Sequence, residues 1–347
     1  MTHNGYRLKL AALCLALLGG TAAAQTGGEP ARFAGCATIE NATERLACYD
    51  AASGRAARPG TPGSEGTPAA QPSTTERPAA AAEPSIIDGQ YGFNAGSDRY
   101  AITPYGSNYL LVARYSTRPN DTPFSPIFQA AGVPDQQLDD TEAKFQISFK
   151  ARVWSTDDRR WGLWLAYTQQ NQWQVYNESI SRPFRETNYS PEVFVGWRPG
   201  IEFGGWQWNL LKAGYVHQSN GRADPLSRSW DRLYAEGGVE RGDFAATLRA
   251  WYRISESDDD NPDITDYYGY ASLSAMYRWR KNTFTASVRG NISEKKGAYQ
   301  LGWFSQPLLG PIRGYVQIFS GYGESLIDYN WKQTTYGIGI AINDGFF

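Results

Sequence analysis

The sequence predicts an all-β fold: a twelve-stranded antiparallel transmembrane β-barrel, preceded by a short helical segment and a disordered linker. Three observations carry this. Apolar residues recur with a period of two, rather than 3.6, in about twelve segments, each reading as a strand with one apolar face. The longest apolar run, Leu10 to Leu18, is too short to cross a bilayer as a helix. Aromatics make up 14% of the 347 residues and crowd the ends of the alternating segments, where interfacial girdles sit. With 33 Lys+Arg against 35 Asp+Glu the formal net charge is −2, without the basic excess of a nucleic-acid binder. No nucleic-acid partner is expected.

At the N-terminus, Arg7 and Lys9 precede the apolar run, and Thr21-Ala22-Ala23-Ala24-Gln25 follows it. Residues 1–24 therefore read as an export signal cut after about Ala24. Cys14 lies inside the run, and Leu13 before it does not suit a lipid-anchor site. Residues 25–51 form a small segment carrying Cys36 and Cys48. An exported chain meets an oxidising compartment, so a Cys36–Cys48 disulfide is expected, clamping the helical stretch CATIENATERLACYDAA. Residues 52–85 are largely Ala, Pro, Gly, Ser and Thr, with prolines at 59, 62, 68, 72, 78 and 84. Such a composition cannot bury a core and reads as a linker. The working domain is residues 86–347.

The expected strands of that domain lie near 108–116, 143–153, 161–176, 187–198, 203–219, 229–240, 244–254, 267–279, 283–292, 299–308, 312–323 and 334–344. In the second, Phe145, Ile147, Phe149, Ala151 and Val153 alternate with Lys144, Gln146, Ser148, Lys150 and Arg152. Phe244, Ala246, Leu248, Ala250 and Tyr252 alternate with Thr247, Arg249 and Arg253, and Leu273 to Trp279 repeats the pattern. A soluble sandwich would turn the apolar face inward, whereas a membrane barrel turns it to lipid around a polar lumen. The export signal, the aromatics Tyr115, Trp197, Trp279 and Tyr322 at strand ends, the terminal Phe346-Phe347 and the even strand count all favour the barrel. The expected site is the bacterial outer membrane.

The two histidines are His3, which leaves with the signal, and His217. His217 and Ser219 are two apart on an expected strand, so both side chains leave one face. Leu211, Ala213 and Tyr215 share that parity, which makes it the lipid side. On the next strand Ser229, Asp231, Leu233, Ala235 and Val239 share a face. A hairpin around 220–228 can set residue 217 opposite residue 231. Ser219, His217 and Asp231 would then meet on the outer wall as nucleophile, base and orienter. Polar groups at a strand end can also serve solubility alone, and the nucleophile elbow G-x-S-x-G is absent because position 217 is His. Gln169 shares parity with Leu163, Leu165 and Tyr167, and an amide emerging into hydrocarbon needs a partner, such as its symmetry mate.

Residues 214–234, GYVHQSNGRADPLSRSWDRLY, resemble the active-site hairpin of the bacterial outer membrane phospholipase A family. The resemblance continues in SRPFRETNYSPEVFVGW (181–197), in DDNPDIT (259–265) and in SGYGESLIDYN (320–330), and covers 86–347 but none of 25–85. It implies a twelve-stranded barrel, active as a homodimer with Ca2+, that hydrolyses phospholipid acyl esters (A1/A2 and lysophospholipid), with the active site towards the outer leaflet. Ser219 takes the nucleophile's place and His217 the base's. Asp231 stands where the best-known members carry Asn, and a carboxylate accepts the imidazole N–H equally well. The loop Arg222-Ala-Asp224-Pro-Leu-Ser227 offers a carboxylate, a hydroxyl and carbonyls, as a hard cation requires. By resemblance Asp224 and Ser227 give side chains, Arg222 a carbonyl, and Ser181 a carbonyl across the dimer. Asp260 matches an acidic position of a second calcium site, and Gln169 falls in the dimer interface. The competing class is a non-enzymatic barrel, a passive pore or adhesin. A lumen packed by Trp230, Glu236, Arg249 and Arg253 argues against a wide pore.

Overall fold

The structure, a computed structural model, describes residues 35–53, 85–257 and 259–345. The expected export signal, nearly all of the expected linker and the terminal Phe346-Phe347 lie outside the described residues.

In the N-terminal segment a helix spans Ala42–Ala52. Asn41 caps it, its side chain accepting from the backbone N–H of Thr43 (2.9 Å) and Glu44 (3.3 Å). Cys48, on this helix, forms a disulfide with Cys36, with their Cα atoms 5.5 Å apart.

The remainder is built from strands β1 (Ala101–Pro104), β2 (Tyr109–Ser116), β3 (Thr141–Ser155), β4 (Trp161–Trp173) and β5 (Phe184–Trp197). There follow β6 (Ile201–Phe203), β7 (Trp206–Ser219), β8 (Ser229–Arg241), β9 (Phe244–Ile254) and β10 (Ala271–Trp279). β11 (Asn282–Asn291), β12 (Lys296–Leu309), β13 (Ile312–Tyr322) and β14 (Lys332–Ala341) complete the set. Every pairing between strands is antiparallel. The order runs β3-β2-β14-β13-β12-β11-β10-β9-β8-β7-β5-β4, and β4 pairs back onto β3. The result is a closed barrel of twelve strands, as the sequence predicts.

Three local features depart from the expected segments. The first wall strand is broken: β1 pairs with β3 at residues 149–152 and β2 pairs with it at 141–146. Between them Tyr105 turns into the lumen, where its hydroxyl accepts from Lys212 Nζ (2.9 Å) and donates to Glu192 (2.8 Å). The expected strand 203–219 is β6 and β7 joined by a tight turn at Gly204 and Gly205, both with positive φ. The expected strand 267–279 begins instead with a helix, Ile264–Tyr268, which follows Pro262 and ends at Gly269 (φ 68°). Trp251 Nε1 ties Gly269 O to the wall at 2.9 Å.

The alternating pattern sorts the faces. Outward lie Leu165, Leu211, Leu233, Leu248, Leu273 and Ile338, all exposed. Inward lie charges that pair within the lumen: Lys212 with Glu236 (3.0 Å) and Arg249 with Glu236 (2.6 Å) on adjacent strands, and Arg185 with both Glu142 (2.9 Å) and Asp328 (3.0 Å). Buried charges persist where each finds such a partner. A helix at Ile86–Tyr91 stoppers one end. Ile86, Ile87 and Tyr91 join an apolar cluster with Trp164, Phe194 and Leu210. Asp88 takes a two-pronged ion pair from Arg198 (2.6 and 2.8 Å). Trp230 and Glu236 are fully buried in the lumen, as expected. Arg253, expected there too, lies at its loop end, bonded to Asp259 and to Pro262 O. Longer loops, 117–140 and 255–270, sit at the opposite end from the turns at 156–160, 242–243, 280–281 and 310–311. In outer-membrane barrels the longer loops face the cell exterior.

Candidate active site

The β7–β8 hairpin sets the geometry. Its ladder pairs His217 with Asp231, Tyr215 with Leu233, Ala213 with Ala235 and Ser219 with Ser229. Because alternate residues share a face, His217, Ser219 and Asp231 all leave the outer wall near the loop end of the barrel. His217 Nδ1 lies 2.8 Å from Asp231 Oδ1. The carboxylate there favours the tautomer with the proton on Nδ1, leaving Nε2 as the free lone pair. The Ser219 hydroxyl, two residues on, makes no hydrogen bond among the described residues, and nucleophile–base contacts commonly tighten only when substrate binds. The His217 side chain is 37% exposed and that of Asp231 23%. Both are open to whatever surrounds the wall.

Two groups beside this trio were not read from the sequence. Tyr215 donates its hydroxyl to the same Asp231 Oδ1, at 2.7 Å. Its parity with His217 was the available signal. Glu256, in the loop after β9, accepts from Ser229 Oγ at 3.3 Å. Burial, then the neighbouring Asp231 carboxylate, raises the Glu256 carboxyl above the ordinary glutamate range.

The 220–228 connection is shaped by Asn220, which is buried and was also not singled out. Its Oδ1 accepts from the N–H of Arg228 (3.0 Å) and Arg222 (3.3 Å), and its Nδ2 donates to Leu226 O (2.8 Å). Gly221 makes the exit from β7 possible. It sits at φ +64°, and a Cβ there would meet the Tyr189 ring at 3.1 Å. The Arg222 side chain swings away to β5, donating to Arg185 O (2.6 Å) and Phe184 O (3.2 Å). Its carbonyl accepts no hydrogen bond among the described residues. Ser227 Oγ lies 2.5 Å from Asp260 Oδ2. Asp224 is exposed, with no hydrogen-bond or ion-pair partner among the described residues.

The loop thus brings Ser227 and Asp260 together and leaves Asp224 and the Arg222 carbonyl unengaged. Among the described residues no cluster of three or more His, Cys, Asp or Glu forms a metal cage. The donor set is instead mixed: carboxylate, hydroxyl and carbonyl oxygens only. That chemistry suits a hard cation keeping several water ligands. Ser181, in the β4–β5 loop at φ 61°, makes no hydrogen bond or ion pair to this loop within the protomer.

Gln169 emerges on the outer face of β4, as read from its parity. Its amide, however, already has partners within the protomer. Tyr167 donates to its Oε1 at 2.9 Å, and its Nε2 donates to Asn171 Oδ1 at 3.0 Å. A symmetry mate is therefore not needed to satisfy it, because residues two apart on a strand stand side by side.

The phospholipase A1 family model matches residues 93–342. A phospholipase A1 from Klebsiella pneumoniae is 40% identical over 250 residues, covering 71% of this chain and 84% of its own. The solved outer membrane phospholipase A of Escherichia coli superposes with a TM-score of 0.65 at 38% identity, over 70% of this chain and 99% of that one. A Salmonella typhi outer membrane phospholipase, solved as a dimer with bound calcium, gives a TM-score of 0.67 at 36% identity, over 76% and 98%. Likeness of this extent, in sequence and in superposed structure, makes the chain a bacterial outer-membrane protein of the phospholipase A1 family.

Proposed function

We propose that Ser219, His217 and Asp231 form the triad by which this outer-membrane hydrolase cleaves phospholipid acyl esters from its lipid-facing wall, in the outer leaflet. The observation that carries this reading is the 2.8 Å His217–Asp231 contact on an outward face that also holds Ser219. A soluble enzyme would house such groups in a cleft. Here the bilayer brings the ester to the wall.

Ser219 Oγ attacks the ester carbonyl carbon, and its proton passes to His217 Nε2. Asp231 holds the imidazole by Nδ1 and stabilises it while it is charged. The imidazole then returns the proton to the leaving lysophospholipid oxygen. Water, losing a proton to the same nitrogen, hydrolyses the acyl-enzyme, and Ser219 is regenerated. Asp224, Ser227 and the Arg222 carbonyl would hold calcium, together with the carbonyl of Ser181 of the partner subunit, and Asp260 would serve a second calcium site. Calcium bound there supplies positive charge beside the developing oxyanion. The calcium-loaded dimer of the Salmonella relative supports both the metal and a homodimer. The outward parity of Gln169 on β4 is what would place it on the shared face. A barrel whose lumen is filled by ion pairs and stoppered by the Ile86–Tyr91 helix gives a passive pore no comparable support.

The test is fatty-acid release from phospholipid in detergent, with and without a calcium chelator, read beside chemical cross-linking. Ser219→Ala, His217→Ala and chelation should each abolish release while the barrel stays folded. Undiminished release in any of the three removes that element from the scheme.

A further inference from the structure

The outer wall carries two successive polar rungs at its loop end, and the triad draws on only part of them. In the lower rung His217, Asp231 and Ile254 stand opposite one another across β7, β8 and β9. In the upper rung Ser219 stands opposite Ser229, and the β8–β9 register, carried just past the end of β9, brings Glu256 alongside Ser229. Ser229 Oγ donates to Glu256 Oε2 at 3.3 Å. The Ser229 backbone N–H donates at 3.0 Å to Oδ1 of Asn261, which is fully buried. One loop therefore fixes both the backbone and the hydroxyl of Ser229.

The direction of the Ser229–Glu256 bond decides what Ser229 can do. With its hydrogen given to Glu256, the hydroxyl presents only lone pairs to its other neighbours, so it accepts. Directly opposed residues of an antiparallel pair hold their Cβ atoms about 4.5–5.5 Å apart, close enough for one water to reach both side chains. Glu256 adds a second acceptor. Its Oε1 is buried and has no hydrogen-bond partner among the described residues, and a buried carboxylate oxygen calls for a donor. Two acceptors beside a nucleophile suit a ligand with hydrogens to give. During acylation the group leaving Ser219's substrate is an ester oxygen, which carries no hydrogen. During deacylation water takes that place, and it carries two.

We propose that Ser229, held by Glu256, positions the water that hydrolyses the acyl-enzyme. The proposal rests on the triad reading above. The water oxygen attacks the acyl carbon while one of its protons passes to His217 Nε2 and its other hydrogen points to Ser229 Oγ. The tetrahedral adduct then expels Ser219 Oγ, which recovers the proton from His217, and the fatty acid leaves. Ser229 is thus idle in acylation and engaged in deacylation, and Glu256 is a positioning residue that acts through it.

The test uses the full-length protein, folded in detergent micelles with calcium, on dipalmitoyl-phosphatidylcholine. It compares the parent with Ser229→Ala, Glu256→Ala and Ser229→Thr, which keeps the hydroxyl. Ser255→Ala, in the same loop, serves as control. Rapid quenching follows lysophospholipid and fatty acid separately, and the mass of the intact protein follows the acyl-enzyme. Because kcat/KM reports the steps up to acylation, loss of a contact made only in deacylation lowers kcat and KM together. Ser229→Ala should lower both by about tenfold, the worth of one hydrogen bond, and leave kcat/KM at the parent's value. It should also release a burst of lysophospholipid stoichiometric with enzyme and accumulate protein heavier by one palmitoyl group. Glu256→Ala should act in the same direction by about threefold, and Ser229→Thr and Ser255→Ala should turn over like the parent. The proposal falls if Ser229→Ala matches the parent, or if it lowers kcat/KM without a burst, which would make Ser229 a support of the triad. If the parent itself releases neither product, it is the hydrolase reading that fails.

Discussion

Asp231 is the point at which the triad can be tested most sharply, because its Oδ1 receives two donors: His217 Nδ1 at 2.8 Å and the Tyr215 hydroxyl at 2.7 Å. Replacing Asp231 by Asn keeps an acceptor and removes the charge. In many triads an amide here presents its NH2 to the imidazole and selects the wrong tautomer. Here Tyr215 demands an oxygen at the same position, so the amide turns with Oδ1 to both donors and Nδ2 away. What is lost is then the difference between a charge-assisted and a neutral hydrogen bond, about 1–1.5 kcal/mol. That corresponds to about a tenfold lower kcat. Asp231→Ala removes the whole bond, about 2–3 kcal/mol, and kcat should fall by about 30- to 150-fold, with KM nearly unchanged. Adding Tyr215→Phe to Asp231→Asn frees the amide to flip and should deepen the Asn defect, while Tyr215→Phe alone should change kcat only about threefold. The assay is steady-state fatty-acid release on folded protein. The reasoning fails if Asp231→Ala stays within twofold of the parent, or if the Asn and Ala variants are equally impaired.

Two further substitutions address the lumen and the loop. Glu324, in the β13–β14 connection, faces Arg114 and Lys144 (3.0 Å) and also accepts from Thr335 Oγ1 (3.2 Å). Burial alone would raise its carboxyl, yet the two cations hold it down to about 2. A depressed folded value means the stabilisation is complete above the ordinary glutamate range near pH ~4.3 and fades as pH falls towards about 2. Glu324→Gln leaves buried Lys144 without a carboxylate and Arg114 with Glu142 alone (2.9 Å), and should cost about 3 kcal/mol or more of unfolding free energy at neutral pH, measured by denaturant titration in micelles. Its deficit should narrow in acid. Asn220→Ala loses the three hydrogen bonds that staple residues 222–228, so the calcium concentration for half-maximal activity should rise several-fold while the barrel's denaturation midpoint in calcium-free buffer changes little. An unchanged calcium requirement would contradict the role given to the loop.

The lipid-facing half of this fold was legible because it depends only on local alternation. Leu211, Ala213, Tyr215, His217 and Ser219 could be assigned to one face without knowing any partner strand. The same rule placed Asp231 outward and set it opposite His217 once a hairpin was assumed. It failed where the backbone breaks period. A register shift beside Asn209 turned Trp208 outward, and the interruption at Tyr105 split the first wall strand. The last two residues of the Ile264–Tyr268 helix, Tyr267 and Tyr268, read as strand because they lead into the alternation of Leu273 to Trp279. The lumen was illegible for another reason: its pairs are distant in sequence. Lys144 and Glu324 are 180 positions apart, and neither residue says which of several inward charges it will meet. Gln169 shows a different limit: parity put its amide on the outer face, but did not reveal the partners two positions away, Tyr167 and Asn171, that it has within the protomer.

The arrangement also limits where control can act. His217 and Asp231 are a directly opposed pair in a continuous ladder, on strands whose other faces carry Lys212 and Glu236 locked together at 3.0 Å in the lumen. Such a pair cannot be separated without shearing the wall, so the proposed base and its proposed orienter stand assembled in a single protomer. The elements that remain adjustable are outside the ladder: the 220–228 loop with its unengaged Asp224 and Arg222 carbonyl, and the β4–β5 loop that carries Ser181. A hydrolase permanently surrounded by its substrate must be restrained by something other than access. On the proposed calcium site, the parts of this molecule free to supply that restraint would be the oxygen donors of those two loops, which a single protomer would leave incomplete. On the proposed triad and calcium loop, regulation would fall on oxyanion stabilisation rather than on nucleophile activation. Substitutions that favour subunit association should raise kcat without altering the His217–Asp231 contact.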